Sequence, residues 1–231
     1  MAASKGDENF LCWSASPAQM DRLWSEGWRH FGIIFMRYRK GTHGRKSYSV
    51  LPLRVDLERF TVSRSQKRVL AKNRDTELVI RPSFIDRQKE SLFQKHRVRF
   101  HENAPTSLYN FMSELPASVP CRNFELCVYG AGGLLAVTFL DVGQTATSGV
   151  YAMFDPAEAK RSLGILMLLY SIGFSRERGC RYYYPGYAYR EAFSYDYKKR
   201  LGGLEYLDWD SGWKLYPTEP SEAAAFLTKT D

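Results

Sequence analysis

The sequence predicts a mixed α/β fold in which helices flank mixed, mostly antiparallel sheets. Short apolar runs separated by turn residues predict strand hairpins, and amphipathic segments with capping residues predict the helices between them. One segment, residues 150–187, follows the order strand, loop, helix, strand. The chain has 231 residues and is 44% hydrophobic, so it can bury one large or two small cores.

The first half of the chain predicts three helices and a pair of strands. Ser16 and Pro17 predict a helix start, because a serine side chain caps free amide groups and proline fits the first helical position. Ser63 predicts a second start of the same kind. The predicted elements are a helix over 17–26, strands over 33–38 and 48–55 around a turn at 41–44, and helices over 63–73 and 87–99.

The second half predicts a hairpin, the segment 150–187 and a pair of closing strands. The composition changes around residues 103–106, so we place a boundary there between an N-terminal unit, 1–104, and a C-terminal unit, 105–231. The predicted elements are a helix over 108–115, strands over 123–129 and 134–140, a strand over 150–154, a helix that stops at Gly179, and strands over 181–184, 204–209 and 213–216.

Positive charge is concentrated in one part of the sequence. Residues 27–99 contain 19 Lys or Arg against 6 Asp or Glu, whereas the whole chain has a net charge of only +8. Within this part, Arg64, Lys67, Arg68 and Lys72 lie on one predicted helix, and three of them recur at every fourth position. With aromatic residues nearby, such a surface suits a nucleic-acid backbone and its unpaired bases. The alternative is a solvated basic face without a partner.

Composition also limits the other classes of protein. No apolar run reaches the roughly 18 residues of a membrane span, and the first ten residues lack a signal-peptide core, so we expect a cytoplasmic protein without a membrane partner. The four cysteines show no C-x-x-C pair and no disulfide spacing. The four histidines form no ligand cluster or triad in the sequence, so we expect neither a metal nor a bound cofactor.

A candidate anion site lies at the start of the helix in segment 150–187. Arg161, Ser162 and the backbone of Gly164 lie where first-turn amide groups have no partner within the helix and the helix dipole is positive. Such a start suits phosphate, although an ordinary basic helix cap is the alternative. The element order resembles the acyl-donor half of acetyltransferase-like folds, whose signature ends in Gly or Ala where this chain has Leu166.

Several motifs in fixed order carry a wider resemblance, which spans roughly residues 20–209. They are Gly27–Gly32, Leu53–Val55, Ser63–Asn73, Leu135–Asp141, Val150–Pro156, Arg161–Gly164, Tyr184–Tyr187 and Tyr197–Lys198. Together they resemble the arginyl-tRNA-protein transferase family, which includes bacterial forms that transfer leucine. The resemblance implies two acetyltransferase-like (GNAT-like) units. It also implies transfer of an amino acid from aminoacyl-tRNA to a protein that begins with an acidic or other destabilising-precursor residue, as in N-degron tagging.

The sequence departs from this family at two places. The family usually carries a cysteine cluster before the strand at 51–55, but this chain has no cysteine there. This difference is a second reason to expect no metal. Near the C-terminus, Ala192 replaces a cysteine, and Ser194 with Tyr195 replaces a Lys-Met pair. These departures leave substrate choice and activity open.

The resemblance and the chemistry of aminoacyl transfer together suggest candidate site residues. The enzyme must orient a neutral α-amine, remove its proton and stabilise a tetrahedral oxyanion. The candidates are Asp141 to hold or deprotonate the amine, Tyr151 and Tyr187 to donate to the ester or ribose, and Asp155, Lys198 and Lys199 to bind substrate. Each has an alternative: Asp141 and Asp155 also suit turns, the tyrosines also suit a core, and the lysines also suit an exposed charged surface.

Three hypotheses for the function remain. The first is an aminoacyl-tRNA-protein transferase of the Arg or Leu class, which accounts for both the basic segment and the Arg-Ser-Leu-Gly motif. The second is a CoA-dependent N-acyltransferase that uses acetyl-CoA as donor, which leaves the basic segment without a purpose. The third is a non-catalytic relative that binds tRNA or protein, which the substitutions at Ala192, Ser194 and Tyr195 permit.

Overall fold

A computed structural model describes residues 7–100, 104–194 and 196–217. The helices are α1 (Pro17–Ser25), α2 (Arg64–Lys72), α3 (Arg87–Arg97) and α4 (Leu163–Glu177), and short 3-10 helices cover Leu108–Asn110, Pro156–Arg161 and Asp196–Arg200. The strands are β1 (Glu8–Leu11), β2 (Arg29–Phe31), β3 (Ile34–Arg37), β4 (Lys40–His43), β5 (Lys46–Asp56), β6 (Glu77–Pro82), β7 (Asn123–Gly130), β8 (Gly133–Val142), β9 (Ala146–Phe154), β10 (Tyr182–Tyr189), β11 (Leu204–Asp208) and β12 (Gly212–Leu215).

One large mixed sheet organises the molecule. Its order is β12-β11-β5-β10-β9-β8-β7-β6, with β4 paired to β5, and a small separate sheet has the order β1-β3-β2. Among the described strands, β9 and β10 are the one parallel pair, and all others are antiparallel. The predicted class, an α/β fold with mostly antiparallel sheets and flanking helices, is therefore confirmed.

Strands from both predicted units lie in the large sheet. Strand β5 lies between β10 and β11, and β6 pairs with β7. The division into 1–104 and 105–231 stays a prediction, since part of the boundary at 103–106 lies outside the described residues. The sequence also predicts a loosely held C-terminal end from Pro217, and all of this end except Pro217 lies outside the described residues.

Helices cover both faces of the large sheet. Successive side chains of a strand point to opposite faces. Accordingly, Leu126 and Val128 of β7 belong to the core under α4, whereas Cys127 belongs to the core under α3. Helix α4 packs against β8 and β9 on one face, with α2 packed against α4, and α3 packs against β8 and β9 on the other face. Helices α3 and α4 therefore both lie close to β9, the strand at which the candidate site begins.

Local sequence signals set most helix ends as predicted. Ser16 and Ser63 each form a capping box, in which the serine hydroxyl accepts an amide hydrogen bond and a glutamine side chain accepts one in return. The helix predicted over 108–115 is wrong, because the structure has only a 3-10 turn there. Pro116 disfavours a helical conformation at Leu115, and this residue is exposed.

Among the described residues, no helix is long and apolar enough to span a membrane.

Of the described strands, β1, β2, β4 and β6 are those that the sequence did not predict. Each is six residues or shorter, and such short segments carry little periodicity.

Candidate active site

A gap opens where the parallel strands β9 and β10 lose their pairing. The strands pair over Ala146–Ser148 and Tyr182–Tyr184, yet both continue for several residues beyond this point. At the same level, β9 shifts register against β8, and β10 shifts register against β5. Such bulges bend a strand and leave backbone groups outside the ladder. We call this opening the β9/β10 gap.

The Arg29 guanidinium lies in the β9/β10 gap. Its Nη2 atom donates a hydrogen bond of 2.7 Å to the Gly149 carbonyl on β9. On the other side, a Cβ atom at Gly186 of β10 would lie 1.9 Å from Arg29 Nη1, and Gly186 has a φ of +95°. A side chain at Gly186 would therefore displace the guanidinium. Arg29 forms no ion pair with any residue of the described ranges.

Lys198 adds a second cation on the β10 side. Its Nζ donates to the Tyr187 carbonyl at 3.1 Å. Burial, with a further contribution from the charge of Arg29, lowers the pKa of Lys198 to about 7. The Tyr187 hydroxyl donates to the Gly27 carbonyl at 2.6 Å, and burial raises the pKa of this hydroxyl above its usual range. The structure thus brings two predicted site residues, Lys198 and Tyr187, next to an arginine that sequence reasoning missed.

Asp141 lies in the interior behind β2. Its side chain is 2% exposed. One carboxylate oxygen accepts a hydrogen bond of 2.8 Å from the Asn123 side chain, and the other lies 2.6 Å from His30 Nε2. Asn123 in turn accepts a short hydrogen bond from Ser83. Asp141 therefore holds His30, the neighbour of Arg29 on β2. Its direct contact with an acceptor amine stays a prediction, because both carboxylate oxygens already have protein partners.

Cys121 lies beside Asp141 and was not singled out by the sequence. Burial and then the Asp141 carboxylate raise the pKa of its thiol well above the ordinary value. A thiol in that state is a poor nucleophile, because the thiolate is the reactive form. The arrangement therefore does not support a cysteine nucleophile, although His30, Cys121 and Asp141 resemble a triad by composition.

Tyr151 occupies the face of the sheet that α3 covers. Its ring stacks on Phe111 with a centroid distance of 3.9 Å, and it packs against the core that includes Phe93 of α3. The Tyr151 ring therefore contacts aromatic side chains under α3, whereas the Tyr187 ring lies beside the Arg29 guanidinium. The predicted role of Tyr151 as a donor to the ester or ribose stays a prediction.

The loop between β9 and α4 is held by ion pairs. Arg161 forms two hydrogen bonds of 2.8 Å to Asp75 and a third of 2.9 Å to Glu158. Asp155 accepts from Lys95 of α3 at 2.7 Å and from the amide of Ala157 at 3.0 Å. A phosphate at Arg161 would have to compete with two carboxylates, and Asp155 serves as a cap and an ion-pair partner.

In the first turn of α4, the amide groups of Ile165 and Leu166 donate to the Ser162 carbonyl, and within the described residues those of Leu163 and Gly164 have no backbone partner. Ser162, which precedes the helix, has a left-handed φ of 57° and makes no side-chain capping bond. An added Cβ atom at Gly164 would lie 3.4 Å from the ring of Phe154, which is ordinary contact. A single added Cβ atom therefore fits at Gly164.

Helix α2 presents its cations beside this loop. The predicted tRNA-binding residues are all exposed, and none forms an ion pair within the described part of the chain: Arg64, Lys67, Arg68 and Lys72. The Nζ of Lys72 donates to the carbonyl of Lys160 at 2.8 Å, which ties the basic helix to the loop. A groove of about 530 Å³ is lined by residues of α2 and by Tyr170 of α4.

Lys199 has a structural role in this fold. Its Nζ contacts Asp196 at 2.7 Å and donates to the carbonyls of Arg190 and Glu191. These contacts hold the 3-10 helix that carries Lys198. Of the positions that depart from the family pattern, Tyr195 lies outside the described residues, and Ala192 and Ser194 are exposed.

Strand β9 connects the two candidate parts of the site, which are the β9/β10 gap at Gly149 and the loop that precedes α4, called here the donor loop. Residues 32–208 match the family described as "Arginine-tRNA-protein transferase, C terminus". The chain belongs to this family.

Curated relatives agree with the family. The chain is 32% identical over 151 residues to the aspartate/glutamate leucyltransferase of Saccharophagus degradans, a match that covers 64% of each chain. It is 27% identical over 199 residues to the protein of the same name from Helicobacter hepaticus, covering 84% of this chain and 81% of that one.

Two solved structures were also found. L-PGS from Bacillus licheniformis is 14% identical with a TM-score of 0.46, covering 78% of this chain and 52% of that one. A GCN5-related N-acetyltransferase from Kribbella flavida is 13% identical with a TM-score of 0.37, covering 60% and 48%.

Proposed function

We propose that this protein transfers leucine from leucyl-tRNA to the α-amine of proteins that begin with aspartate or glutamate. The observation that carries the proposal is the family match over residues 32–208, which includes α2, the donor loop and the β9/β10 gap. The leucine donor and the acidic acceptor follow the name of the relatives, aspartate/glutamate leucyltransferase. The broader alternative from the sequence, an arginine donor, is decided by the assay below.

The surface around the start of α4 supports a tRNA donor. Helix α2 is attached to the loop through Lys72, and helix α3 is attached through Lys95, so basic helices flank the loop on two sides. Lysine and arginine side chains that neutralise phosphates provide most of the affinity of nucleic-acid binding. We place the acceptor end of the tRNA across α2, with its terminal phosphates towards Ser162 and Gly164.

The β9/β10 gap supports an acidic acceptor. Arg29 is permanently charged, and Lys198 adds a charge that titrates near neutral pH. We assign Arg29 and Lys198 to the carboxylate of the first acceptor residue. Asp141 acts through His30 to keep β2 in place, so we regard it as a positioning residue for Arg29.

The chemistry needs orientation more than a reactive protein group. The α-amine attacks the carbonyl carbon of the aminoacyl ester, a C–N bond forms, and the C–O bond to the ribose breaks. The proton lost by the amine ends on the ribose oxygen that leaves. A neutral amine is required for attack, and the oxyanion formed on the way is stabilised by preorganised N–H donors, for which the bulge in β9 next to Gly149 is suitable.

A transfer assay with matched donors and acceptors tests the proposal. Leucyl-tRNA and arginyl-tRNA, each with a labelled amino acid, are offered to peptides that differ only in a first residue of Asp, Glu, Asn or Ala. We expect label from leucyl-tRNA on the Asp and Glu peptides. Transfer of label from arginyl-tRNA alone would show that arginine, and not leucine, is the amino acid transferred. Equal labelling of the Asp and Asn peptides would contradict a preference for an acidic acceptor.

A further inference from the structure

Three potential metal ligands converge behind β2, at positions far apart in the sequence. One ligand atom each from His30, Cys121 and Asp141 lies within 4.8 Å of the other two. His30 is on β2 and Asp141 is on β8, while Cys121 precedes β7. All three residues are buried, with exposures of 4%, 4% and 1%.

The hydrogen bonds of His30 leave a place for a cation. Its Nδ1 lies 2.8 Å from the Gly32 carbonyl, and its Nε2 lies 2.6 Å from Asp141 Oδ2. A carbonyl only accepts, so Nδ1 carries a hydrogen, and a neutral ring then directs the lone pair of Nε2 at the carboxylate. Two such atoms remain in contact only with a proton or a metal ion between them. A backbone carbonyl on the second ring nitrogen is also what orients histidine ligands in metal sites.

The donor set selects the kind of metal. A thiolate, an imidazole and a carboxylate are all ligands that zinc accepts in tetrahedral sites. Cys121 is the one thiolate in this ligand set, and Cys12, which is half-buried, packs against the same hydrophobic cluster without belonging to the set. One thiolate and one carboxylate would balance the two positive charges of Zn²⁺, which avoids an uncompensated charge in the interior.

We propose that His30, Cys121 and Asp141 bind Zn²⁺ as a structural site. Nitrogen and oxygen ligands on one tetrahedral zinc ion lie about 3.3 Å apart. The present contact of 2.6 Å between His30 and Asp141 is therefore the proton-bridged form. Zinc replaces the bridging proton and the Cys121 thiol proton, and the two side chains separate by less than about 1 Å.

The consequence of this site is a clamp between the two sheets. Zinc would join β2 of the small sheet to β8 of the large sheet, at the residue that follows Arg29. The zinc ion would contact no group in the β9/β10 gap, and metal content and cobalt spectra are measured without any transfer reaction. The test of this site is therefore independent of the proposed function.

Metal content and cobalt spectroscopy test the proposal on the full chain without an affinity tag. Protein produced with added zinc should contain about one zinc per chain. After the zinc is removed, added Co²⁺ should give a near-ultraviolet absorption band from a thiolate-to-cobalt transition, and zinc should restore the melting temperature that its removal lowers.

Matched cysteine variants locate the site. Cys121→Ser keeps the size of the side chain but should remove the cobalt band and most of the zinc, whereas Cys180→Ser should keep both, because Cys180 lies outside the cluster. His30→Gln should also lose the zinc; if it does not fold, Cys121→Ser alone decides. A wild-type protein with less than about 0.1 zinc per chain and no cobalt band would overturn the proposal. A band that survives in Cys121→Ser would do the same.

Discussion

Substitution of Arg29 by glutamine tests the assignment of the acceptor site. Arg29 donates a 2.7 Å hydrogen bond to the Gly149 carbonyl, and its guanidinium carbon lies 5.6 Å from the centre of the Tyr187 ring. A hydrogen bond to a charged group contributes about 1.5–3 kcal/mol. If the acceptor carboxylate loses a bond of this size, kcat/KM for a peptide that begins with Asp should fall by about 10- to 150-fold.

The same substitution has a separate cost in stability. The Gly149 carbonyl loses its charged donor, which should lower the free energy of unfolding by about 1–3 kcal/mol. For a domain of this size each kcal/mol lowers the melting temperature by about 2–4 °C. Transfer is therefore measured well below the melting temperature of the variant, with folding checked by circular dichroism.

The ratio between two peptides separates binding from stability. We measure kcat/KM for leucine transfer to peptides that begin with Asp and with Asn. Arg29→Gln should reduce the preference for Asp, whereas Arg22→Gln, at an exposed position on α1, should not change it. An unchanged preference for Asp in folded Arg29→Gln would refute the assignment of Arg29 to the acceptor carboxylate.

Three further predictions concern the donor surface, the donor loop and the buried lysine. The double variant Arg64→Glu, Arg68→Glu should weaken tRNA binding and should reduce the slope of log affinity against log salt concentration by about 2. Filter binding over a series of salt concentrations measures this slope. A slope equal to that of the wild type would show that α2 does not contact tRNA. Gly164→Val should raise the KM for aminoacyl-tRNA while Gly164→Ala stays near wild type, because a single Cβ atom fits beside Phe154; equal KM values would show that this turn only begins the helix. The folded pKa of Lys198, about 7, lies below its ordinary value of 10.5, so the unfolded chain binds more protons in this window and stability rises with pH. Lys198→Met should therefore gain more stability over wild type at pH 6 than at pH 9 in urea unfolding, and an equal difference at both pH values would contradict a buried, titrating Lys198.

The sequence predicts the local elements of this fold well. The helices α1 and α2 begin at Ser16 and Ser63 because their capping boxes are formed by residues three positions apart. The helix α4 ends before Gly179, whose positive φ suits glycine. Signals of this kind depend on neighbours in the chain, so no tertiary contact is needed to recognise them.

The candidate site depends on contacts that the sequence does not reveal. Arg29 and Gly149 are 120 positions apart, and Arg161 meets Asp75 across 86 positions. A pattern that is read along the chain shows Arg161 as a free cation, although the fold supplies it with two carboxylates. The one sequence signal for the gap is Gly186 in the Tyr-Pro-Gly-Tyr motif, because only glycine leaves room for the Arg29 guanidinium.

The same limit applies to the cluster of His30, Cys121 and Asp141. No spacing rule connects these residues, because they come from β2, the segment before β7, and β8. The sequence therefore predicts no metal, whereas the fold places three ligand atoms together.

A competition between two donors tests the central claim most directly. The purified protein is incubated with one peptide that begins with Asp, in the presence of both leucyl-tRNA and acetyl-CoA, and the mass of the peptide is measured. We expect a gain of one leucyl residue on the peptide N-terminus and the release of uncharged tRNA. A gain of one acetyl group, or a peptide of unchanged mass while leucyl-tRNA stays bound, would contradict it.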